Sequence, residues 1–285
     1  MKITQDWHIH SEYSCDDACL KMEDLVAETE QIGILDYGVS DHLHTGYNTP
    51  DIINSRKHYE SVISKNPALK GKFHFGIEIS CVSQWELDKI SNGDYNHTEN
   101  ITYGIRSGGP KNAAPAIAAD SSYIEENGIE YVIGGVHWPL YCDYDRESLL
   151  KDYHRQYMFL AQHKNVNILA HYLWWMPPGP EVENPFADFS NIPKAMKREL
   201  AFALKENNCA FELNLCAVLL ASNVTEKFKR EYLDYAVEIQ SMGVSLAIGG
   251  DCHSRHYTEI DFEFSSKMLE ASGIDLDGNM FYIKK

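Results

Sequence analysis

Histidine and carboxylate side chains recur directly after short apolar runs of this 285-residue sequence. A His-x-His pair occurs at His8 and His10, and an Asp-x-His pair at Asp251 and His253. Residues two apart on a strand project to the same side, so each pair can reach one metal ion. Single residues of the same kinds lie between the pairs: His42, Glu78, His137 and His171. Nitrogen and oxygen ligands without a thiolate favour Zn²⁺, Mn²⁺ or Fe²⁺, and the sequence does not choose among them.

The elements that must position these residues follow an α/β pattern. Seven apolar, β-branched or aromatic runs are predicted as strands, at about 3–9, 35–40, 73–79, 130–136, 166–170, 209–214 and 244–250. Helical periodicity separates them, in a first helix that ends at Gly33 and over about 113–127, 146–163, 193–207 and 225–242. Such alternation predicts a parallel sheet, closed as a barrel or open and doubly wound. In a barrel, all carboxyl ends of the strands open on one face, where the candidate ligands would converge.

Length and composition limit the class of protein. The chain is long enough for one domain over residues 1–285 with a large core. A net charge of −17 disfavours a nucleic-acid backbone as partner, and no apolar run approaches the roughly 20 residues of a membrane span. Seven irregularly spaced cysteines argue against disulfides, and the polar N-terminus lacks a secretory signal. We therefore expect a soluble cytoplasmic protein that acts on a small substrate, with its oligomeric state open.

Glu78 and the histidines each have a structural alternative. A lone histidine at a strand end is more often hydrogen-bonded than metal-bound, but six in register favour ligands. Glu78 lies in an apolar run, where an unpaired carboxylate would be costly, so bridging cations are the better account. His44 competes with His42 as a ligand or lines the pocket. The remaining histidines are read as ordinary: His58, His74, His97, His154, His163 and His256. Two long loops, at 91–115 and 174–193, are predicted over the barrel mouth.

The order of these motifs resembles the PHP family of polymerase and histidinol phosphatase metallohydrolases. The matching segments span nearly the whole chain: DWHIHSEYSCDD, VSDHLH, GIEIS, GGVHW, LAH and GGDCHS. The resemblance implies a distorted (β/α)7 TIM-like barrel and a cluster of two or three divalent ions, Zn, Mn or Fe. It is closest to the histidinol-phosphatase branch in length and in the FELN and DxHS elements.

The resemblance also implies a ligand assignment. One ion would be held by His8, His10, Glu78 and Asp251. A second would share Glu78 as a bridge and add His137 and His171. A third would take Asp16, His42 and His253, with Asp17 as a rival to Asp16 because the register is ambiguous by one residue.

The implied activity is hydrolysis by a metal-bridging hydroxide that Glu78 and Asp251 position. We expect a phosphomonoesterase on a small phosphorylated metabolite. A phosphodiesterase acting on small diesters or nucleotides, an amidohydrolase-type C–N hydrolase and, last, a non-catalytic barrel remain alternatives.

Arg255 is the first candidate for a phosphate clamp and Arg106 the second, although surface solvation would also explain both. Asn214 and His44 are candidates for orienting the substrate. Trp174 and Trp175 form either an apolar wall for a substrate ring or ordinary loop packing.

Overall fold

The computed structural model describes residues 2–96, 100–177, 179 and 181–283. The strands among these residues are β1 (Gln5–Asp6), β2 (Asp36–Val39), β3 (His42–Leu43), β4 (Phe73–Ser80), β5 (Val82–Ser83), β6 (Pro115–Ala116), β7 (Tyr131–Gly135), β8 (Ile168–Leu169), β9 (Ala210–Asn214) and β10 (Leu246–Gly249). The α-helices are α1 (Met22–Ile32), α2 (Thr49–Lys65), α3 (Gln84–Ser91), α4 (Ser121–Glu126), α5 (Arg146–Gln162), α6 (Lys194–Asn207), α7 (Glu226–Ser241) and α8 (Phe262–Ala271).

Parallel strands form a nearly closed barrel. The strands β1, β2, β4, β7, β8, β9 and β10 are neighbours in that order, and β3 also pairs with β4. The ends of this row meet, because the Trp7 amide donates to the Ile248 carbonyl at 2.9 Å and the Asp251 amide to the His8 carbonyl at 2.6 Å. The predicted distorted (β/α)7 barrel is therefore confirmed, and the open doubly wound sheet is excluded.

Burial on both faces explains why the central strands read as nearly continuous apolar runs. Every residue of β4, FHFGIEIS, is buried, as is every residue of β7. Helices cover the outer face, and α7 shows how they do so. Its buried residues Phe228, Tyr232, Ala236 and Ile239 recur every three or four positions and form one stripe. The core thus lies between the barrel wall and the helices, and it fixes the strand ends that carry the candidate ligands.

All seven predicted strands occur, but the helices were predicted less completely. The helix expected over 113–127 is wrong in its first half. Pro115 and Ala116 pair instead with β5, and the helix begins at Ser121 because the Asp120 side chain caps it by accepting from the Tyr123 amide. Helices α2, α3 and α8 occupy segments for which no helix was predicted. In the described ranges, none of the helices has the length and apolarity needed to span a membrane.

Candidate metal centre

The first strand delivers His8 and His10 to the mouth of the barrel. Both side chains are fully buried, and their Nε2 atoms lie 3.1 Å apart. Asp6, at the end of β1, accepts hydrogen bonds from the amides of His8 at 3.1 Å and Gly250 at 2.7 Å. The Asp6 carboxylate therefore ties the start of the site to the segment that carries Asp251.

Glu78 occupies the centre of the site. The buried strand β4 places its carboxylate among histidine rings from four other segments. Its Oε2 lies 2.9 Å from His42 Nδ1 and 3.1 Å from His8 Nε2. Its Oε1 lies 2.9 Å from His171 Nε2 and 3.1 Å from His137 Nε2. One carboxylate thus faces two groups of rings, which is the arrangement that a bridging ligand requires.

The remaining predicted ligands lie at the outer side of the same mouth. Asp16 Oδ2 lies 2.6 Å from His253 Nε2 and 3.3 Å from His42 Nε2. Asp251 Oδ1 lies 3.3 Å from His10 Nε2. The structure therefore brings all nine predicted ligands together, and Asp16 rather than Asp17 faces the histidines.

The donor atoms fit divalent cations better than they fit one another. Oε2 of Glu78 and Nδ1 of His42 are both buried and close, yet they are not aligned for a hydrogen bond. Asp16 Oδ1 and His171 Nδ1 are also buried without a partner. Buried polar atoms normally have partners, so this concentration of unpaired ones calls for an explanation. At the barrel mouth, three sets have ligand atoms within 4.8 Å of one another: His8, His10 and Glu78; His42, Glu78 and His137; and His10, Asp16, His42 and His253.

Backbone geometry at the site is specialised. The backbone angle φ is 22° at His171 and 53° at Asp251, and residues other than glycine rarely adopt such positive values. Backbone strain of this kind concentrates at functional sites. Gly135, at the end of β7, leaves room for the ligands, because a Cβ there would lie 2.7 Å from both Glu78 Oε1 and His137 Cε1.

The charges of the site favour ionised carboxylates. Burial alone would raise the pKa of Glu78, but the rings of His8, His42 and His137 lower it well below its usual value. The pKa of Asp251 is likewise lowered, against the effect of burial, by His8 and His10. The carboxylates are therefore in the form that binds a cation.

Glu212 belongs to this site and was missed from the sequence. Its buried carboxylate lies 2.5 Å from His8 Nδ1 and accepts from the His171 amide at 2.5 Å. Asn214 donates to Glu212 at 3.0 Å and to Asp251 at 3.0 Å, and its side-chain oxygen caps the π-helical turn Leu215–Leu219. The side-chain amide of Asn214 is therefore occupied by these two carboxylates. The available signal was the spacing in FELN, which puts residues 212 and 214 on the same side of β9.

The other substrate candidates take different positions. His44 lines the mouth and stacks on His42, with ring centroids 4.6 Å apart. Arg106 is paired with the buried carboxylate of Glu86, and its guanidinium lies 3.8 Å from the centre of the Trp138 ring. Arg255 is exposed, and the structure does not bring it to the lining of the mouth.

A cleft of about 510 Å³ opens over the predicted ligands. Its lining combines seven of the nine predicted ligands with residues from the mouth loops. The residues outside the ligand set are His44, Tyr103, Trp174, Met176, Cys216 and Ala217. Trp174 packs its ring 5.5 Å from that of His171, whereas Trp175 packs on Phe186 at 5.7 Å. Both predicted loops thus reach the mouth, and His97 lies outside the described residues.

Solved structures share this architecture. A histidinol phosphate phosphatase from Lactococcus lactis subsp. lactis Il1403, complexed with zinc, L-histidinol and phosphate, is 16% identical, with a TM-score of 0.62 over 95% of this chain and 94% of that one. A proposed histidinol phosphatase from Listeria monocytogenes is 10% identical, with a TM-score of 0.60 over 92% of this chain and 99% of that one. No curated protein sequence matches significantly.

The sequence itself matches a known family over most of its length. The match is to the PHP domain and covers residues 6–215, a stretch that begins before His8 and ends after Asn214. It therefore includes all the predicted ligands except Asp251 and His253. The chain belongs to the PHP domain family.

Proposed function

We propose that this protein is a phosphomonoesterase that acts on a small phosphorylated metabolite. Its family makes it a metal-dependent hydrolase. The observation that carries the proposal is the Glu78 carboxylate, which is buried between His8 and His42 on one side and His137 and His171 on the other. A cleft of about 510 Å³ above it suits a small metabolite.

The proposed ligands divide among two or three divalent ions. His8, His10, Glu78 and Asp251 would hold the first, and Glu78 with His137 and His171 the second. Asp16, His42 and His253 would hold the third. When bound, such ions lower the pKa of coordinated water and neutralise charge on phosphoryl oxygens. The packing also permits His10 to contribute to the third set and His42 to the second.

Glu212 and Asn214 act by positioning. A histidine that binds a metal through Nε2 usually donates its Nδ1 hydrogen to a fixed acceptor. Glu212 is that acceptor for His8, at 2.5 Å. Because Asn214 donates to both Glu212 and Asp251, Asn214 and Glu212 keep the proposed ligands that follow β1 and β10 in one orientation.

His44 is the substrate contact that we propose, through a short hydrogen-bond chain. Ser80 Oγ lies 2.7 Å from His137 Nδ1 and 2.6 Å from His44 Nδ1. If His137 binds metal through Nε2, its Nδ1 hydrogen is donated to Ser80, and the Ser80 hydroxyl donates to His44 Nδ1. The His44 hydrogen then resides on Nε2, which is buried without a partner beside the cleft. It can donate to a phosphoryl or leaving oxygen.

A phosphodiesterase is the second candidate, and one observation favours it. Among the residues that the structure describes, no lysine or arginine lines the cleft. A diester carries one negative charge fewer than a fully ionised monoester and needs less compensation. The family match and the Asp16 set argue against the amidohydrolase alternative.

The test is a comparison of esters with metal-loaded and chelator-treated protein. We expect phosphate release from simple alkyl and aryl monoesters that depends on Mn²⁺, Zn²⁺ or Fe²⁺, with bis-alkyl diesters hydrolysed at least tenfold more slowly. Faster hydrolysis of the diesters would replace the proposal by its alternative. Equal activity after complete metal removal would refute both.

A further inference from the structure

We propose that the leaving group of the substrate is an uncharged alcohol with an apolar ring, rather than a cationic amino alcohol. This inference rests on the proposed function and specifies its substrate. It comes from two adjoining cavities in which, among the described residues, the proposed metal ligands are the only charged side chains of the lining.

Among the described residues, the mouth cleft has no charged side chain, apart from the proposed metal ligands, that a leaving group could contact. In the described part of the chain, its only carboxylates are Asp16, Glu78 and Asp251, all of them proposed metal ligands. The other lining residues are uncharged: Tyr103, Trp174, Met176, Cys216 and Ala217, with His44 beside the ligands. An ammonium group would meet these apolar walls and the rings of the ligand histidines.

A second cavity, of about 230 Å³, continues from the first. The two share Trp174, Cys216 and Ala217, so they adjoin along one side of the mouth. No charged side chain among the described residues lines the second cavity. Its lining includes the rings of Trp174, Trp175, Phe186 and Phe228, and its polar side chains are neutral: Asn184, Asn223 and Thr225.

The π-helical turn Leu215–Leu219 forms the shared wall. It follows β9 directly and carries Cys216 and Ala217, and turns of this kind are frequent at functional sites. Because Asn214 caps this turn and also contacts Asp251, the wall of both cavities is attached to the ligand cluster. A phosphoryl group at the ligands would therefore place the rest of its ester beside Ala217 and Trp174.

The cost of burying a charge decides between leaving groups. Moving an ammonium from water into an apolar site is unfavourable unless a carboxylate or another acceptor compensates for it. The Lactococcus lactis structure contains L-histidinol, an amino alcohol. In this chain the ring of such an alcohol would contact the aromatic side chains of the lining. Its amino group would have no carboxylate to contact, among the described lining residues, other than those of the proposed ligands. Neutral ring-bearing esters should therefore react faster.

The test uses two substrates that differ by one amino group, 3-phenylpropyl phosphate and 2-amino-3-phenylpropyl phosphate. We expect kcat/KM of the metal-loaded wild type to be at least tenfold higher for the neutral ester. The variant Asn223→Asp adds a carboxylate at the exposed rim of the second cavity, so it should narrow that ratio by at least threefold. Trp175→Ala should lower kcat/KM for the neutral ester about tenfold, and Phe264→Ala, on the exposed face of α8, should leave it unchanged.

Binding of the product alcohols gives an independent readout. By calorimetry, 3-phenylpropan-1-ol should bind the metal-loaded protein at least tenfold more tightly than its 2-amino derivative. If phosphate is released but the amino ester reacts equally well or faster, the inference is wrong and the phosphatase proposal stands. If neither ester is hydrolysed, the phosphatase proposal fails, and equal binding of the two alcohols would then overturn the inference as well.

Discussion

Both ends of the barrel contain histidines next to carboxylates, but the two ends differ in whether the polar atoms of these side chains are paired. At the amino end, His74 at the start of β4 lies between two carboxylates, 2.8 Å from Asp36 and 3.0 Å from Glu130. Four residues later in the same strand, Glu78 faces four histidines, and its Oε2 is buried without a hydrogen bond. Both ring nitrogens of His74 are paired, whereas the mouth has unpaired atoms on Asp16, His42, Glu78 and His171.

Whether the buried polar atoms are paired distinguishes structural residues from candidate functional residues better than residue type does. The polar groups at the amino end also bond to the frame of the barrel. Glu130 accepts from the Phe75 amide at 2.9 Å, and the Tyr131 hydroxyl donates to the Trp7 carbonyl at 2.7 Å. At the mouth, the polar atoms converge on shared points instead. A buried group whose partners are all protein atoms stabilises the fold, and a converging set of unpaired nitrogen and oxygen atoms has the arrangement of a metal site.

The largest expected effect comes from exchanging one carboxylate at each end. Glu78→Gln should remove the first two ions together and lower kcat/KM more than 1,000-fold, because the neutral amide cannot bridge two cations. Glu130→Gln should keep full metal content and lower only the free energy of unfolding, by roughly 1–2 kcal/mol. Metal analysis with phosphate-release kinetics checks both. Full metal occupancy in Glu78→Gln would contradict the bridging role.

The sequence predicts much of this architecture because each signal is local. The seven strands are apolar runs between turns, and strand-end residues such as His137 and His171 converge through the geometry of any parallel barrel. The helix α2 was missed because polar residues are scattered through TPDIINSRKHYESVISK and weaken its apolar stripe.

What the sequence does not predict depends on contacts between distant segments. The partner of Glu212, His8, is 204 residues away in the sequence. The local FELN spacing indicates the side of β9 on which Glu212 lies but not the residue that it contacts. Arg106 is a candidate phosphate clamp in the sequence, yet in the structure its guanidinium pairs with Glu86 and packs on Trp138. Both partners are distant from it in the sequence. The residues whose roles depend on partners distant in the sequence are therefore the ones that required the structure.

The next largest effect concerns the third ion. Asp16→Asn should lower the metal content by about one ion per chain, because Asp16 Oδ2 faces both His253 and His42. Asp17→Asn is the matched control. Asp17 has φ of 64°, which asparagine tolerates well, so this variant should fold normally and retain all its metal. Loss of an ion in Asp17→Asn alone would show that Asp17, and not Asp16, is the ligand of the third ion.

A smaller effect is expected where a carboxylate acts only through a ligand. Glu212→Gln removes the charge beside His8 Nδ1 and should weaken metal binding about 10–100-fold without eliminating a ligand. Competition with a chelator of known affinity measures this change. Glu226→Gln, at the exposed start of α7, is the control and should not alter metal affinity. An unchanged affinity in Glu212→Gln would show that the contact with His8 is only structural.

The smallest effect tests the amino end through pH. Asp36 and Glu130 outweigh the lowering effect of burial and raise the pKa of His74 from 6.5 to about 9. Since the folded pKa is the higher one, this stabilisation is complete below about pH 6.5 and is lost as the pH rises through about 9. Both carboxylates are partly exposed, so we expect about 1–2 kcal/mol. The difference in unfolding free energy between wild type and His74→Gln should therefore be largest near pH 6 and shrink towards pH 10, at constant metal content. A pH-independent difference would mean that His74 contributes by packing against Trp7, and the contrast between the two ends would then rest on the mouth alone.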